Sequence, residues 1–339
     1  MSLMSLSILK PGLLTTVQDL GRFGYQQDGI IVSGAMDAMA LRVANLLVGN
    51  KENAAGLETT LLGPRIRFET DQLLALTGAH LSPTLNGQPV GCNRPVWAKA
   101  GTELAFGPAV AGSRAYLAVA GGVAVPPVLG SRSTYLRAGF GGYEGRALRT
   151  GDQLPTGQIS SAGRQLMQRL SRSPHPTGWA QAPWTPGPDH CPQPARHPVI
   201  RAVRGPEYED FSPVSRQDFW HEPFAVTAEA DRMGYRLQGP QLQQLTETEL
   251  LSSAVAFGTV QVPAGGQPIV LMADHQTTGG YPRLAQVISA DFPALAQVRP
   301  GQDIRFQEVS LAEAQALYLA QEARLRALRR TVALRLMSG

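Results

Sequence analysis

The chain has 339 residues, 36 of them glycine and 26 proline, with aromatic residues at only 6%. That length fits two domains of about 150 residues each, and a turn-rich, aromatic-poor composition favours many short strands over long helices. The net charge of +4 is carried by arginines scattered through the sequence, which excludes the basic tract of a nucleic-acid binder. No apolar run approaches the roughly 20 residues of a membrane span, and no secretory leader pattern opens the chain. Cys92 and Cys191 lack metal-ligand spacing and are expected to be free thiols in a reducing cytoplasm. Met1-Ser2-Leu3 ahead of Met4 reads as an appended leader with no part in the fold.

A first lobe is expected over 4–155. Its one helical stretch runs from Met36 to Leu47, where Met36, Met39, Val43, Leu46 and Leu47 share a face and Gly49-Asn50 stops the helix. Leu73 to Thr77, Pro95 to Ala98, Glu103 to Phe106 and Ala115 to Val119 read as strands, and Asn86-Gly87 as a hairpin turn. A phrase recurs at Lys99-Ala100-Gly101-Thr102-Glu103-Leu104, Arg149-Thr150-Gly151-Asp152-Gln153-Leu154 and Arg299-Pro300-Gly301-Gln302-Asp303-Ile304. Each sets a glycine turn ahead of a strand. The Pro-rich stretch 156–198 reads as a linker with one short basic helix near Arg164 to Arg172. Its His175, His190 and His197 lack an i, i+4 metal spacing. A second lobe spans 199–309. Ser310-Leu311-Ala312-Glu313 then forms a capping box for a C-terminal helix over 310–337, with Leu317, Tyr318, Leu325, Leu328, Val332 and Leu336 at helical spacing. The arginines of that helix suit packing on its own barrel or on a partner better than a membrane-surface role.

The densest polar phrase is Ala273-Asp274-His275-Gln276-Thr277-Thr278-Gly279-Gly280-Tyr281-Pro282, set between the strand-like runs Pro268 to Met272 and Arg283 to Ile288. Gly279 and Gly280 permit close backbone approach and Pro282 holds Tyr281 extended, so the loop is shaped for a site, with an ordinary Gly-rich hairpin as the alternative. Ala230-Asp231-Arg232-Met233-Gly234-Tyr235-Arg236-Leu237 surrounds a glycine with one carboxylate and two guanidinium groups, which suits a planar anion or, equally, an ion pair of Asp231 with Arg232 or Arg236. Thr16 to Tyr25 contains a similar phrase, Arg22-Phe23-Gly24-Tyr25.

These segments, with Gly34-Ala35-Met36-Asp37, Ala44 to Asn50, Leu57 to Thr60, Leu129 to Thr134 and Val260 to Pro263, resemble the second subunit of the allophanate hydrolase/urea carboxylase-type carboxyltransferase family. Its stand-alone bacterial members are the KipA-like proteins, the C-subunit family of 5-oxoprolinase. The resemblance runs from about Leu9 to Phe306, and it implies a mainly β fold of two cyclophilin-like β-barrel lobes. It also implies a KipI-like partner carrying carboxyltransferase subdomains C and D, a third LamB/YcsF-like subunit, and ATP-dependent opening of 5-oxo-L-proline to L-glutamate. The sequence departs from the family pattern at Ala230, Ser253 and His275.

The chain itself lacks a phosphate-binding loop, because Lys10, Lys51 and Lys99 are followed by Pro, Glu and Ala. It also lacks a biotin-attachment lysine flanked by methionine, a Gly-x-Ser-x-Gly elbow, a His-Glu-x-x-His pair and a Cys-x-x-Cys. No covalent cofactor or metal is therefore expected, ATP is expected to bind with or through partner subunits, and biotin enters only with a carboxyl-transfer reading. The expected site gathers Asp231, Arg232, Tyr235, His275, Gln276, Thr277 and Thr278 as catalytic groups. Gln18, Asp19, Arg22, Ser131, Arg132, Arg236, Gly279, Gly280 and Tyr281 are expected to hold a small amide substrate. In that scheme Arg232 or Arg236 grips an anion, Gln276, Thr277 and Thr278 donate to a developing oxyanion, and Asp231 or His275 moves a proton. Ser131-Arg132-Ser133-Thr134 is either an anion-holding turn or a plain polar turn. Asp37 and Asn45 are expected to brace the first helix, with Glu58 satisfying buried backbone. Three readings remain open at this level: a 5-oxoprolinase subunit inactive alone, a carboxyltransferase component acting on urea or another amide, and a non-catalytic regulator binding a KipI-like kinase inhibitor.

Overall fold

The computed structural model describes residues 5–172, 177–246 and 250–337; Met1-Ser2-Leu3 and His175 lie outside the described residues. The chain forms two compact units, one of Met1–Gly21, Asp37–Gln193 and Ala323–Gly339, the other of Arg22–Met36 and Pro194–Glu322. The helices are α1 (Ala38–Leu47), α2 (Ser161–Ser171), α3 (Pro213–His221), α4 (Phe292–Ala296) and α5 (Leu311–Met337).

In the first unit two six-stranded sheets carry the fold. One runs Gln153–Pro155, Ser5–Lys10, Arg65–Phe68, Glu103–Ala105, Thr84–Leu85, Gln88–Pro89, and the other Trp179–Gln181, Pro95–Ala98, Gln72–His80, Ala111–Val119, Gly56–Thr60, Leu14–Gln18. Side-chain alternation along the second sheet builds two cores at once. Leu74, Leu76, Leu117 and Val119 join Leu6, Ile8, Ile66 and Phe68 of the first sheet. Leu73, Ala75, Ala118 and Ala120 point the other way and meet α1, α2 and the end of α5 through Val43, Leu47, Leu166, Leu170, Leu328 and Val332. The alanines on that face are small enough to let helices lie close to the sheet.

The stretch 156–198, expected as a linker, is instead folded over most of its described length. Strand Trp179–Gln181 pairs with Pro95–Ala98, and Leu166 and Leu170 of α2 are buried. The short basic helix expected near Arg164 to Arg172 is α2; the abundance of Pro, Ser and Gln masks the burial of its leucines and the strand that follows. Gly49 takes a φ of +76°, and a Cβ there would sit 2.9 Å from Ser160 Oγ, the cap of α2. One glycine thus stops α1 and admits the start of α2. The first helix starts at Ala38, capped by Asp37, whose carboxylate accepts from Ala40 N at 2.9 Å. Met36 is no part of it and lies in the core of the second unit.

That second unit is a closed barrel in the order Val199–Arg204, Arg283–Val287, Thr259–Gln261, Ile269–Leu271, Gly234–Gln238, Phe224–Val226, Asp303–Glu308. The last strand returns to the first by parallel pairing, while the other neighbours are antiparallel. Phe219 of α3 stacks on Phe306 with ring centroids 4.4 Å apart, and Phe224 packs against both. Gly101, Gly151 and Gly301 of the recurring phrase all adopt positive φ with no side chain in the way, and each leads into a strand. Ser310 and Glu313 form the reciprocal capping box of α5, Ser310 N donating to Glu313 Oε2 at 2.8 Å and Glu313 N to Ser310 Oγ at 3.2 Å.

Phe219 is fully buried, so Phe219→Ala is expected to lower stability by about 3–5 kcal/mol in a denaturant titration. Leu251→Ala, at a site 93% exposed, should stay within about 0.5 kcal/mol of the parent.

Candidate functional site

The polar loop grows out of the antiparallel ladder formed by Gly234–Gln238 and Ile269–Leu271. Beyond its last paired residues the two chains stay together, Met272 N donating to Met233 O at 3.0 Å and Asp274 N to Arg232 O at 2.7 Å. This register sets Arg232 beside Asp274. Arg232 Nε donates to Asp274 Oδ2 at 2.8 Å and Nη2 to Oδ1 at 2.9 Å, a bidentate pair with both side chains about 5% exposed. Ser33 Oγ adds a third donor to Oδ1 at 2.7 Å, and Arg232 Nη2 also reaches Gly34 O at 2.7 Å. Ser33 and Gly34 have φ of 55° and 93°, a left-handed pair that turns the 22–36 segment onto the clasp.

Arg232 is thus bound to an aspartate of its own chain. Asp231 bridges neither Arg232 nor Arg236, because its Oδ1 accepts from Met233 N at 2.8 Å and Gly234 N at 3.1 Å and closes the turn. Arg236 lies against Glu229 at 3.4 Å, both largely exposed. It lines a surface cavity of about 740 Å³ with Thr227, Gln238 and Gln267, to which no residue of 273–282 contributes. Tyr235 is 1% exposed, its hydroxyl donating toward Ala296 O and Val298 O inside the barrel. It is a core residue sealed from any substrate, which corrects its assignment as a catalytic group.

After Asp274, His275 is 8% exposed and its Nδ1 lies 2.6 Å from Gln276 O. A carbonyl only accepts, so Nδ1 carries the proton and Nε2 is left as the basic nitrogen. Burial holds this imidazole below its ordinary 6.5, with the Gln276 carbonyl and then Asp274 pulling weakly the other way. Gln276 and Thr277 are half-buried, while Thr278 and Tyr281 are exposed. Thr278–Gly279 pairs with Ser253–Ala254, and a Cβ on Gly279 would come within 2.7 Å of Gln261 Nε2. Gly280 packs over the Leu250 carbonyl. The loop is therefore held along its whole length.

In the first unit Gln18 and Asp19 follow strand Leu14–Gln18. Asp19 fills the turn expected to hold an anion. Its carboxylate accepts from Ser131 Oγ at 2.6 Å, Arg132 N at 2.6 Å, Ser133 Oγ at 2.5 Å and Gly21 N at 2.9 Å. Ser131 and Arg132 thus serve this internal carboxylate, and Arg132 Nε donates to Val125 O at 2.7 Å. Gln18 is fully buried and donates to Thr134 O at 3.2 Å. Arg22 belongs to the second unit, where its backbone donates to Val32 O. Glu58, expected to satisfy buried backbone, accepts from Tyr116 Oη at 2.8 Å, and that hydroxyl accepts from Asp37 N at 2.7 Å. Burial first, then Glu58 and Asp37, push the Tyr116 phenol well up. Cys92 and Cys191 are free thiols that burial raises to about 11 and about 12. Asp274 and Ser33 are the members of this buried cluster that sequence reasoning does not select. Asp274 stands in plain view within the loop phrase, but only the strand register shows which arginine it meets.

Asp274→Ala is expected to cost about 3–5 kcal/mol by leaving Arg232 buried and uncompensated, and the Arg232→Met/Asp274→Leu double variant should lose less than the single one. Thermal melts of the three proteins decide it. For His275 the folded value lies below the unfolded one. As pH falls through 6.5 the unfolded chain takes up a proton that the folded chain refuses until its own lower value, so stability declines across that window. His275→Gln should flatten this segment of a melting-temperature profile between about pH 5 and 7.5.

The family model described as carboxyltransferase domain, subdomain A and B, matches residues 28–308. The chain is 47% identical over 309 residues to the 5-oxoprolinase C-subunit of Escherichia coli strain K12, covering 91% of this chain and 93% of that protein. It is 42% identical to the Haemophilus influenzae protein of the same name, covering 94% and 95% respectively. The crystal structure of the Kluyveromyces lactis urea carboxylase superposes with a TM-score of 0.85 at 30% identity, covering 95% of this chain and 29% of that one. A matching family model over most of the length, and relatives alike over more than nine-tenths of their own length, mean that the chain belongs to the family of carboxyltransferase subdomains A and B.

Proposed function

We propose that the chain is a subunit of an ATP-dependent 5-oxoprolinase in the cytoplasm, inactive alone, which opens 5-oxo-L-proline to L-glutamate with KipI-like and LamB/YcsF-like companions. The observation that carries this reading is the 47% identity to a protein named as the C-subunit of 5-oxoprolinase, along 93% of that protein. ATP binds with or through the companions, in keeping with a chain that has no phosphate-binding lysine loop.

Within this chain the loop after Asp274 is the working surface. Opening a cyclic amide builds negative charge on its carbonyl oxygen, and Gln276, Thr277 and Thr278 supply donors on a segment fixed at both ends. His275 Nε2 takes or returns the proton, being neutral near pH 7. Arg232 and Asp274 position this loop. Asp19 acts as a brace of its own unit in place of the substrate contact expected of it, and Gln18 and Arg22 are buried. Similarity to the urea carboxylase structure favours a second reading, carboxyl transfer from carboxybiotin to an amide. It requires a biotin carrier on another chain.

ATP-dependent glutamate release from 5-oxoproline is expected from the three-subunit mixture and from no mixture lacking this chain. Gln276→Ala should lower kcat by about 10²-fold without shifting the melting temperature. An assembled complex that releases no glutamate, and instead carboxylates urea when biotin carboxylase and carrier are added, would replace the first reading by the second.

A further inference from the structure

The end of α5 carries a feature that amide chemistry does not use. From Ala323 onward the helix contains Arg324, Arg326, Arg329, Arg330 and Arg335 and no acidic residue. Its apolar stripe, Leu325, Leu328, Val332 and Leu336, is already buried at 2–5% exposure. Beside the helix a cleft of about 530 Å³ opens against the loop that follows α1, with an apolar floor that includes Leu20, Leu46 and Val332. Arg329 and Lys51 stand at its edge. Positions 326, 329, 330 and 333 are neighbours on one helical face, so Arg326 and Arg330 extend this cationic rim and Ala333 forms part of the cleft wall.

Glu52 is the acidic group of this rim, and it is already shared, 2.8 Å from Arg42 Nη2 and 3.6 Å from Arg329 Nη1. Arg326, Arg330 and Lys51 are exposed and have no ion-pair partner among the described residues. An apolar cleft bordered by surplus guanidinium groups matches an acidic polypeptide segment that inserts one or two large apolar side chains. Aliphatic anchors fill the floor, and carboxylates meet the arginines bidentately. A bilayer is disfavoured because the apolar stripe is buried and the exposed apolar side chains of the helix, such as Leu319 and Leu334, are scattered along it. Nucleic acid is disfavoured because the rim offers cations without an exposed aromatic for stacking beside them.

We propose that this cleft and its arginine rim dock an acidic, apolar-anchored segment of a companion subunit. The inference rests on the multi-subunit reading above and adds the surface through which this chain would be held. The full-length chain is titrated with each purified companion, KipI-like and LamB/YcsF-like, at low and at physiological salt. The wild type is compared with R326E/R330E, with Ala333→Trp, which fills the cleft from an exposed position, and with R326K/R330K. Binding to one companion that weakens with salt, at least tenfold on charge reversal and at least tenfold on cleft filling, but less in the lysine variant, supports the proposal, given unchanged melting temperatures. Equal affinity of all variants for a companion overturns it while leaving the 5-oxoprolinase reading intact. Failure of the wild type to bind either companion removes both. Charge-dependent binding to phosphatidylserine vesicles or to RNA, without companion binding, overturns it in favour of those ligands.

Discussion

A guanidinium and a carboxylate taken out of water together are tolerated only when their donors and acceptors are answered, and in the Arg232–Asp274 pair Nε, Nη2 and both carboxylate oxygens are. Two parallel hydrogen bonds, a serine hydroxyl and a backbone carbonyl surround it. Moving two ions from water into a protein interior costs several kcal/mol per ion, so the geometry must be kept or the pair becomes a liability. Much of the second unit follows from keeping it. The ladder continues past Gly234 and Leu271 to bring the two residues opposite one another. Ser33 accepts a backbone conformation unusual for a residue with a Cβ, and the 22–36 segment is held against the barrel. The loop carrying His275 and Gln276 leaves directly from this fixed point, which gives it a defined start.

The same arrangement appears at Asp19. A turn rich in hydroxyls and backbone N–H groups is a natural anion receptor, and this chain fills it with its own carboxylate. Both units therefore use a buried aspartate to organise a loop that sequence inspection reads as ligand-binding. A side chain that satisfies four donors is an internal brace, and the surfaces left for ligands are those the braces present.

Legibility in the sequence follows the range of the interaction. Asn86-Gly87 announces its hairpin because positive φ at both positions is a local demand, met at 49° and 77°, and the glycines of the recurring phrase do the same. The capping box of α5 is equally local. The mainly β character and the family are readable from composition and from the QTTGGYP and DRMGYRL phrases. The partner of Arg232 is not, because Asp274 is 42 residues away in sequence and Asp231 is adjacent; only the pairing register separates them. Tyr235 reads as catalytic because it stands in a polar phrase, yet strand alternation turns it inward. The 156–198 stretch reads as a linker because proline and serine dominate it, while the few leucines that bury α2 carry too little weight in a composition count.

Neither unit is a continuous stretch of chain. Residues 22–36 belong to the barrel whose closing strand, Asp303–Glu308, lies far along the polypeptide, and the first unit waits for Ala323 onward. During synthesis strand Val199–Arg204 must keep one edge unpaired until Asp303–Glu308 has left the ribosome, because the parallel pairing of these two strands shuts the barrel. Such long-range closure is slow and leaves strand edges exposed in the meantime. Supply of folded protein in a cell is thus tied to synthesis of the closing strand: a ribosome stalled before residue 303 yields a fragment with an unclosed barrel, which invites proteolysis.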